Sequence, residues 1–161
     1  MARDAIARQY DVDADSIILL PLGPPGNYQL GMIEFTPKKD RSIDLDKICE
    51  SITATRLSGG TKMSIDFLEI TAKGKVLERD KELVLKVSGT GQELLLSEEP
   101  TAEGGLKRLR EAVARGDKVS TVTGRVPGWS GRFPEVLRAW AKASDTQKRK
   151  LGVIDFEVEK K

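Results

Sequence analysis

The sequence contains no histidine and a single cysteine, Cys49. Without imidazole the chain lacks the side chain that most often serves as general base, proton shuttle or nitrogen ligand near neutral pH. One thiol forms neither a CxxC pair nor an internal disulfide, and no Cys/His set exists to hold zinc. Long hydrophobic runs are missing as well. No segment approaches the ~20 apolar residues that cross a bilayer, and the longest run, around Ile17–Leu20, is ended by Pro21. The first ten residues are polar and carry Arg3, Asp4 and Arg8, unlike a secretory signal peptide. As written, the chain is expected to be cytoplasmic; a mature fragment that had lost a signal peptide would belong to the cell envelope.

What remains is ordinary for a globular protein. The 161 residues are 39% hydrophobic and 32% charged, enough to bury a core in one compact domain or two small ones. Lysine and arginine number 27 against 25 aspartate and glutamate, a formal net charge of +2, so only a clustered patch would point to nucleic acid.

Two strands and a helix are expected in the first part. Ser16–Leu22 reads as a short buried strand, followed by the turn residues Gly23–Asn27. Tyr28–Thr36 reads as a second strand with a phase shift near Gly31. From Ile43 to Leu57, the apolar positions Leu45, Ile48, Cys49, Ile52 and Leu57 follow a helical period, stopped by Gly59 and Gly60. Cys49 falls on that stripe, where a free thiol behaves as a small hydrophobe; a reactive or metal-binding thiol is the other reading.

The second part is more regular. Met63–Val76 is strand-like and interrupted by Gly74, Glu82–Ser88 alternates with Leu83, Leu85 and Val87 on one face, and Gln92–Leu96 makes a third strand. A helix over 105–115 carries Leu106, Leu109, Ala112 and Val113 on one side and ends at Gly116. Lys118–Val126 is a fourth strand, and Leu151–Val158 closes the chain after a long connection from Pro127 to Lys150. Within that connection Pro134 opens a helical stretch whose Trp140 lies on an apolar side.

This order of three strands, helix and two strands, with a glycine where the first strand would bend, resembles an OB-fold over residues 62–161. In residues 1–61, YQLGMIEFTPKKDRSIDLDKICESI, continued by KMSIDFLEITAKGKV, resembles the strand–helix–strand core of a heavy-metal-associated domain, a ferredoxin-like fold. The resemblance implies fold rather than metal site. That family binds soft metals through a CxxC before its first helix, and this chain has Pro37-Lys38-Lys39-Asp40-Arg41-Ser42 there. The expected fold class is therefore α+β, a ferredoxin-like strand–helix–strand portion joined to a five-stranded OB-like barrel.

Candidate sites are few. Asp11-x-Asp13-x-Asp15 starts like a calcium loop but offers Ser16 and Leu22 where an EF-hand needs glycine and glutamate, so a solvated acidic turn is expected. The Gly23–Gly26 and Gly89–Gly91 turns match neither a P-loop nor a dinucleotide fingerprint and read as hairpin turns. Carboxylates are plentiful without a pair spaced for acid–base work, and the serines have no histidine to activate them, so catalysis is not expected. No metal or cofactor is expected.

The contact candidates gather in and around the last connection. Trp129 sits between Gly128 and Ser130, with Arg125, Arg132, Lys148, Arg149 and Lys150 around it, and Phe133 and Trp140 interleaved. In an OB-fold that connection borders the ligand-binding face. Glu98, Glu99, Glu103, Glu111 and Glu135 are expected to dilute the positive field. With the chemistry of catalysis missing, the OB-fold resemblance implies a non-catalytic binding or accessory module that recognises a protein or extended ligand through barrel loops. Single-stranded nucleic acid on the barrel is the alternative, and metal handling by the first portion is the third reading.

Overall fold

The structure, a computed structural model, describes residues 4, 6–8, 12, 17–21, 31–34, 42, 44, 51, 52, 54, 67–127 and 150–160. The chain divides into two compact units, Met1–Ser64 and Ile65–Lys161. No helix among the described residues is long and apolar enough to cross a membrane.

In the first unit β1 (Ile18–Pro21) pairs antiparallel with β2 (Gly31–Glu34), from Ile18 opposite Glu34 to Pro21 opposite Gly31. Successive strand residues point to opposite sides, and Ile17 is accordingly buried while Ile18 is exposed. Ile6 and Ile52, both in helical residues, are buried too. Ile52 lies on the apolar stripe expected for the helix over 43–57. Cys49, the Asp11–Asp15 segment, the Gly23–Gly26 turn and the Pro37–Ser42 loop, apart from Ser42 itself, lie outside the described residues.

The second unit is a mixed α/β body whose five-stranded sheet closes in a ring. Its elements are β3 (Phe67–Arg79), β4 (Glu82–Val87), β5 (Glu93–Glu98), α1 (Gly105–Ala114), β6 (Val119–Pro127) and β7 (Leu151–Val158). Neighbour order is β3-β4-β5-β7-β6, and β6 pairs back onto β3. Every pairing is antiparallel except β5–β7, where Leu96, Ser97 and Glu98 run parallel to Leu151, Gly152 and Val153.

Local chemistry sets these connections. Asp80 and Lys81 both take positive φ, 52° and 68°, and make the two-residue turn that matches strand twist between β3 and β4. Between β4 and β5, Gly91 N donates to Val87 O at 3.0 Å and Gln92 N to the Thr90 hydroxyl at 3.1 Å.

β3 is long enough to serve both halves of the ring. Its first seven residues, Phe67–Lys73, pair with β6, and Gly74–Arg79 pair with β4. The changeover falls at Gly74, where a Cβ would stand 2.3 Å from Lys86 O and 3.0 Å from Leu85 Cδ1. Only a residue without a side chain allows β4 to approach so closely.

From Phe67 to Val76, even-numbered residues of β3 face the interior and odd-numbered ones face outward, as the burial alternation over that stretch shows. Leu85, Leu109, Val122, Val126 and Val153 are completely buried. Each contributes about 1.5–3 kcal/mol of burial free energy. On α1, Leu109 and Ala112 point into the ring and Leu106 and Val113 flank them half-buried.

Two expectations change on this scaffold. Glu99, taken as a charge that dilutes the surface field, is fully buried. Val84, which the alternation leaves off the face of Leu83, Leu85 and Val87, is 2% exposed. The reasons lie in contacts on the outer face.

Candidate functional site

On the outer face of β3 and β6, residues pair across the strands in rows. Glu69 stands opposite Arg125, Thr71 opposite Thr123 and Lys73 opposite Thr121. The Thr71 and Thr123 hydroxyls meet at 2.9 Å. Arg125 is fixed from three sides. Its Cζ lies 4.3 Å from the centroid of the Phe67 ring, its Nε donates to Glu69 Oε2 at 3.1 Å, and its Nη1 donates to Thr101 Oγ1 at 3.2 Å. Nη2 has no partner among the described residues, so the guanidinium keeps donors to offer while its plane is held still.

Behind Thr101 stands the buried Glu99. The Thr101 hydroxyl and its N–H, the latter at 2.8 Å, both donate to Glu99 Oε2. Thr101 therefore links the Arg125 cation to a carboxylate taken out of water. Burying a carboxylate costs several kcal/mol unless donors compensate it, and the second oxygen, Oε1, has none among the described residues. Ser97 Oγ, two residues earlier, is also buried without a partner among the described residues.

The other outward face, over β3, β4 and β5, has an apolar row. Leu77 stands opposite Val84 and Val84 opposite Leu95. Arg79, one row to one side on β3, reaches Glu93, one row to the other side on β5, through two parallel bonds of 2.9 Å each. The line between them crosses β4 at Val84, so the fork-shaped pair lies over that residue and helps account for its burial. Glu93, by hydrogen bond first and charge second, raises the Arg79 pKa above the ordinary guanidinium value. Lys150 Nζ reaches Glu82 Oε1 at 3.0 Å in a similar diagonal across β5.

Of the six contact residues expected from the sequence, Arg125 and Lys150 are among the described residues. Trp129, Arg132, Lys148 and Arg149 lie outside them, as do Phe133 and Trp140. Arg125 on β6 and Lys150, just before β7, turn apart, Arg125 toward Glu69 on β3 and Lys150 toward Glu82 on β4. Each is neutralised by a carboxylate, so these two do not form a patch of free positive charge.

Phe67, Glu69 and Thr101 escaped the sequence reading. The outward phase of β3 was available as a signal for the first two, because Phe67 and Glu69 share parity with Lys73. For Thr101 and Glu99 no local signal exists. Among the described residues no group of three or more cysteine or acidic side chains is placed to hold a metal ion. No family model matches the chain, and no solved structure matches it.

Proposed function

We propose that residues 62–161 form an OB-fold and that the protein is a non-catalytic binding module for a protein or another extended ligand. The ring order supports the fold reading. Numbered within the ring, the strands neighbour one another as first, second, third, fifth and fourth, with the helix between third and fourth.

One observation carries the binding reading: Phe67 is left 41% exposed with the fixed Arg125 guanidinium stacked on it. Aromatic rings and arginines are the residues enriched at recognition surfaces. A side chain already held in place loses less entropy on binding than a free one. The stack stands at the end of β6, where Phe67 pairs with Pro127, the last described residue before the connection that the sequence marks as the contact loop. Recognition there would rest on surface complementarity, with no bond made or broken.

The same stack favours a second reading, single-stranded nucleic acid, because a base can extend a cation–aromatic pair. The outer face of β4 and β5 argues the other way, for it presents leucine, valine, lysine and glutamate and no aromatic ring.

A displayed random-peptide selection on the intact protein, with labelled single-stranded DNA and RNA titrated in parallel by fluorescence anisotropy, tests both. The expected result is a peptide family that binds the wild type and loses binding with Phe67→Ala. Oligonucleotide binding that weakens with salt and disappears with Phe67→Ala would replace the first reading by the second. Ligands of either kind that ignore Phe67→Ala and Arg125→Ala would overturn the assignment of this surface.

A further inference from the structure

The ring is closed at β5–β7 by three residue pairs, ending at Glu98 opposite Val153. β7 continues to Val158 with β6 on one side only. The start of α1 covers the other side at Val153 and Ile154, where Arg108 Nη2 donates to Ile154 O at 3.5 Å. Beyond that point the described residues place nothing on the edge of β7, and Asp155, Glu157, Val158 and Glu159 are exposed.

The hydrogen-bond phase of this edge is fixed. Glu159 N donates to Lys118 O at 2.8 Å, so residue 159 points its backbone at β6. The Ser120 hydroxyl donates to Glu157 O at 3.3 Å, which places residue 157 in the same phase. In an antiparallel pair alternate residues point the other way. Phe156 and Val158 thus turn their N–H and C=O groups to the open side.

The side chains alternate in step. Asp155 and Glu157 stand opposite Thr123 and Thr121 on the outer face, with Glu159 continuing the row at about 7 Å per two residues. None of the three carboxylates has an ion-pair or side-chain hydrogen-bond partner among the described residues. On the other face lie Phe156, half-buried, and Val158, 40% exposed.

We infer that this edge is a docking site for an extended cationic peptide segment, which adds to β7 as a further strand. Its backbone bonds to Phe156 and Val158, its lysines or arginines at every second position face Asp155, Glu157 and Glu159, and its apolar positions rest on Phe156 and Val158. Strand addition takes affinity from main-chain bonds and specificity from alternate side chains. Charged edges discourage pairing between copies of one chain. Here all three charges have one sign, so a second copy of this edge is repelled while a basic strand is attracted. The inference rests on the β7 edge and uses neither Phe67 nor Arg125, so it stands or falls independently of the reading of that stack.

The test uses the full chain and a short labelled peptide that alternates lysine with valine and threonine. A control peptide carries glutamate in place of lysine. The lysine peptide is expected to bind saturably at low salt and more weakly at high salt. Its binding should protect the Phe156 and Val158 amides from hydrogen exchange. Val158→Pro removes an edge N–H that β6 does not use, and Glu157→Lys reverses one charge. Each is expected to weaken binding about tenfold, equivalent to about 1.4 kcal/mol, whereas Phe67→Ala leaves it unchanged. Absence of binding at low salt overturns the inference, as does equal binding of the glutamate peptide. So does binding by the unmodified protein that leaves both amides unprotected, a result that does not depend on how the variants fold.

Discussion

Gly74→Ala is expected to destabilise the second unit far more than its one added methyl group suggests. The new Cβ would stand 2.3 Å from Lys86 O, and ordinary van der Waals contact begins near 3.4 Å. β3 and β4 would have to separate by about 1 Å at a point where backbone, not a pliable side chain, blocks the way. Leu85 Cδ1, at 3.0 Å, closes the other direction, and Leu85 is itself completely buried. Forcing extra volume into a packed site costs about 1–3 kcal/mol, and a stretched ladder bond on each side adds roughly 0.5–1.5 kcal/mol apiece. The expected loss is therefore roughly 2–6 kcal/mol.

Gly116→Ala supplies the control. Gly116 has φ +82° with nothing within 4 Å of a Cβ. Its substitution costs only left-handed strain, about 1–2 kcal/mol. Urea unfolding of the intact protein, followed by circular dichroism, compares the two variants. If Gly74→Ala costs no more than Gly116→Ala, the close approach of β4 at this glycine does not exist as described.

Three further outcomes follow from the packing and the charges. Leu109→Ala, at a fully buried helix position, should cost about 2–5 kcal/mol in the same assay; a value below 1 kcal/mol would mean that α1 does not plug the ring. Thr101→Val removes the hydroxyl that serves Glu99 while keeping the backbone N–H, and should cost about 1.5–3 kcal/mol. Thr101→Ser should be close to neutral, and equal losses for the two would refute a hydroxyl role. A double-mutant cycle on Arg79 and Glu93, which are 56% and 40% exposed, should give a small coupling that fades in high salt. Because Glu93 raises the Arg79 pKa, that contribution is complete below the ordinary guanidinium range and is lost only as pH climbs through the raised folded value. Stability from about pH 6 to 9 should therefore be insensitive to titration of Arg79, which unfolding curves of the wild type and Arg79→Ala across that range would check.

The strands and the helix of the second unit were legible because local rules govern them. The alternation in ELVLKV put Leu83 and Leu85 inside, and Gly74 marked the bend. Val84 was not legible, because its cover includes a pair formed between β3 and β5, each on a different side of it. Glu99 looked like one more surface carboxylate, since nothing in its neighbours shows that the Thr101 hydroxyl and amide will turn onto it. The candidate site followed the same division. Arg125 could be named from the sequence as an outward cation near a contact loop, but its orientation comes from Glu69, Phe67 and Thr101, residues distant in the chain. Lys150 likewise finds its partner, Glu82, on a strand formed much earlier. Charge in a sequence can be counted; neutralisation depends on which strands become neighbours.

The three-pair junction of β5 with β7 also governs when the ring can form. β3, β4 and β5 are joined by short turns and can assemble from neighbouring residues, at modest loop-closure cost. Leu96 and Leu151 must instead find each other across α1, β6 and the whole connection between β6 and β7. Folding is therefore expected to proceed from an early three-stranded meander to a late closure step. Lengthening the connection would slow that step while leaving the meander's formation untouched.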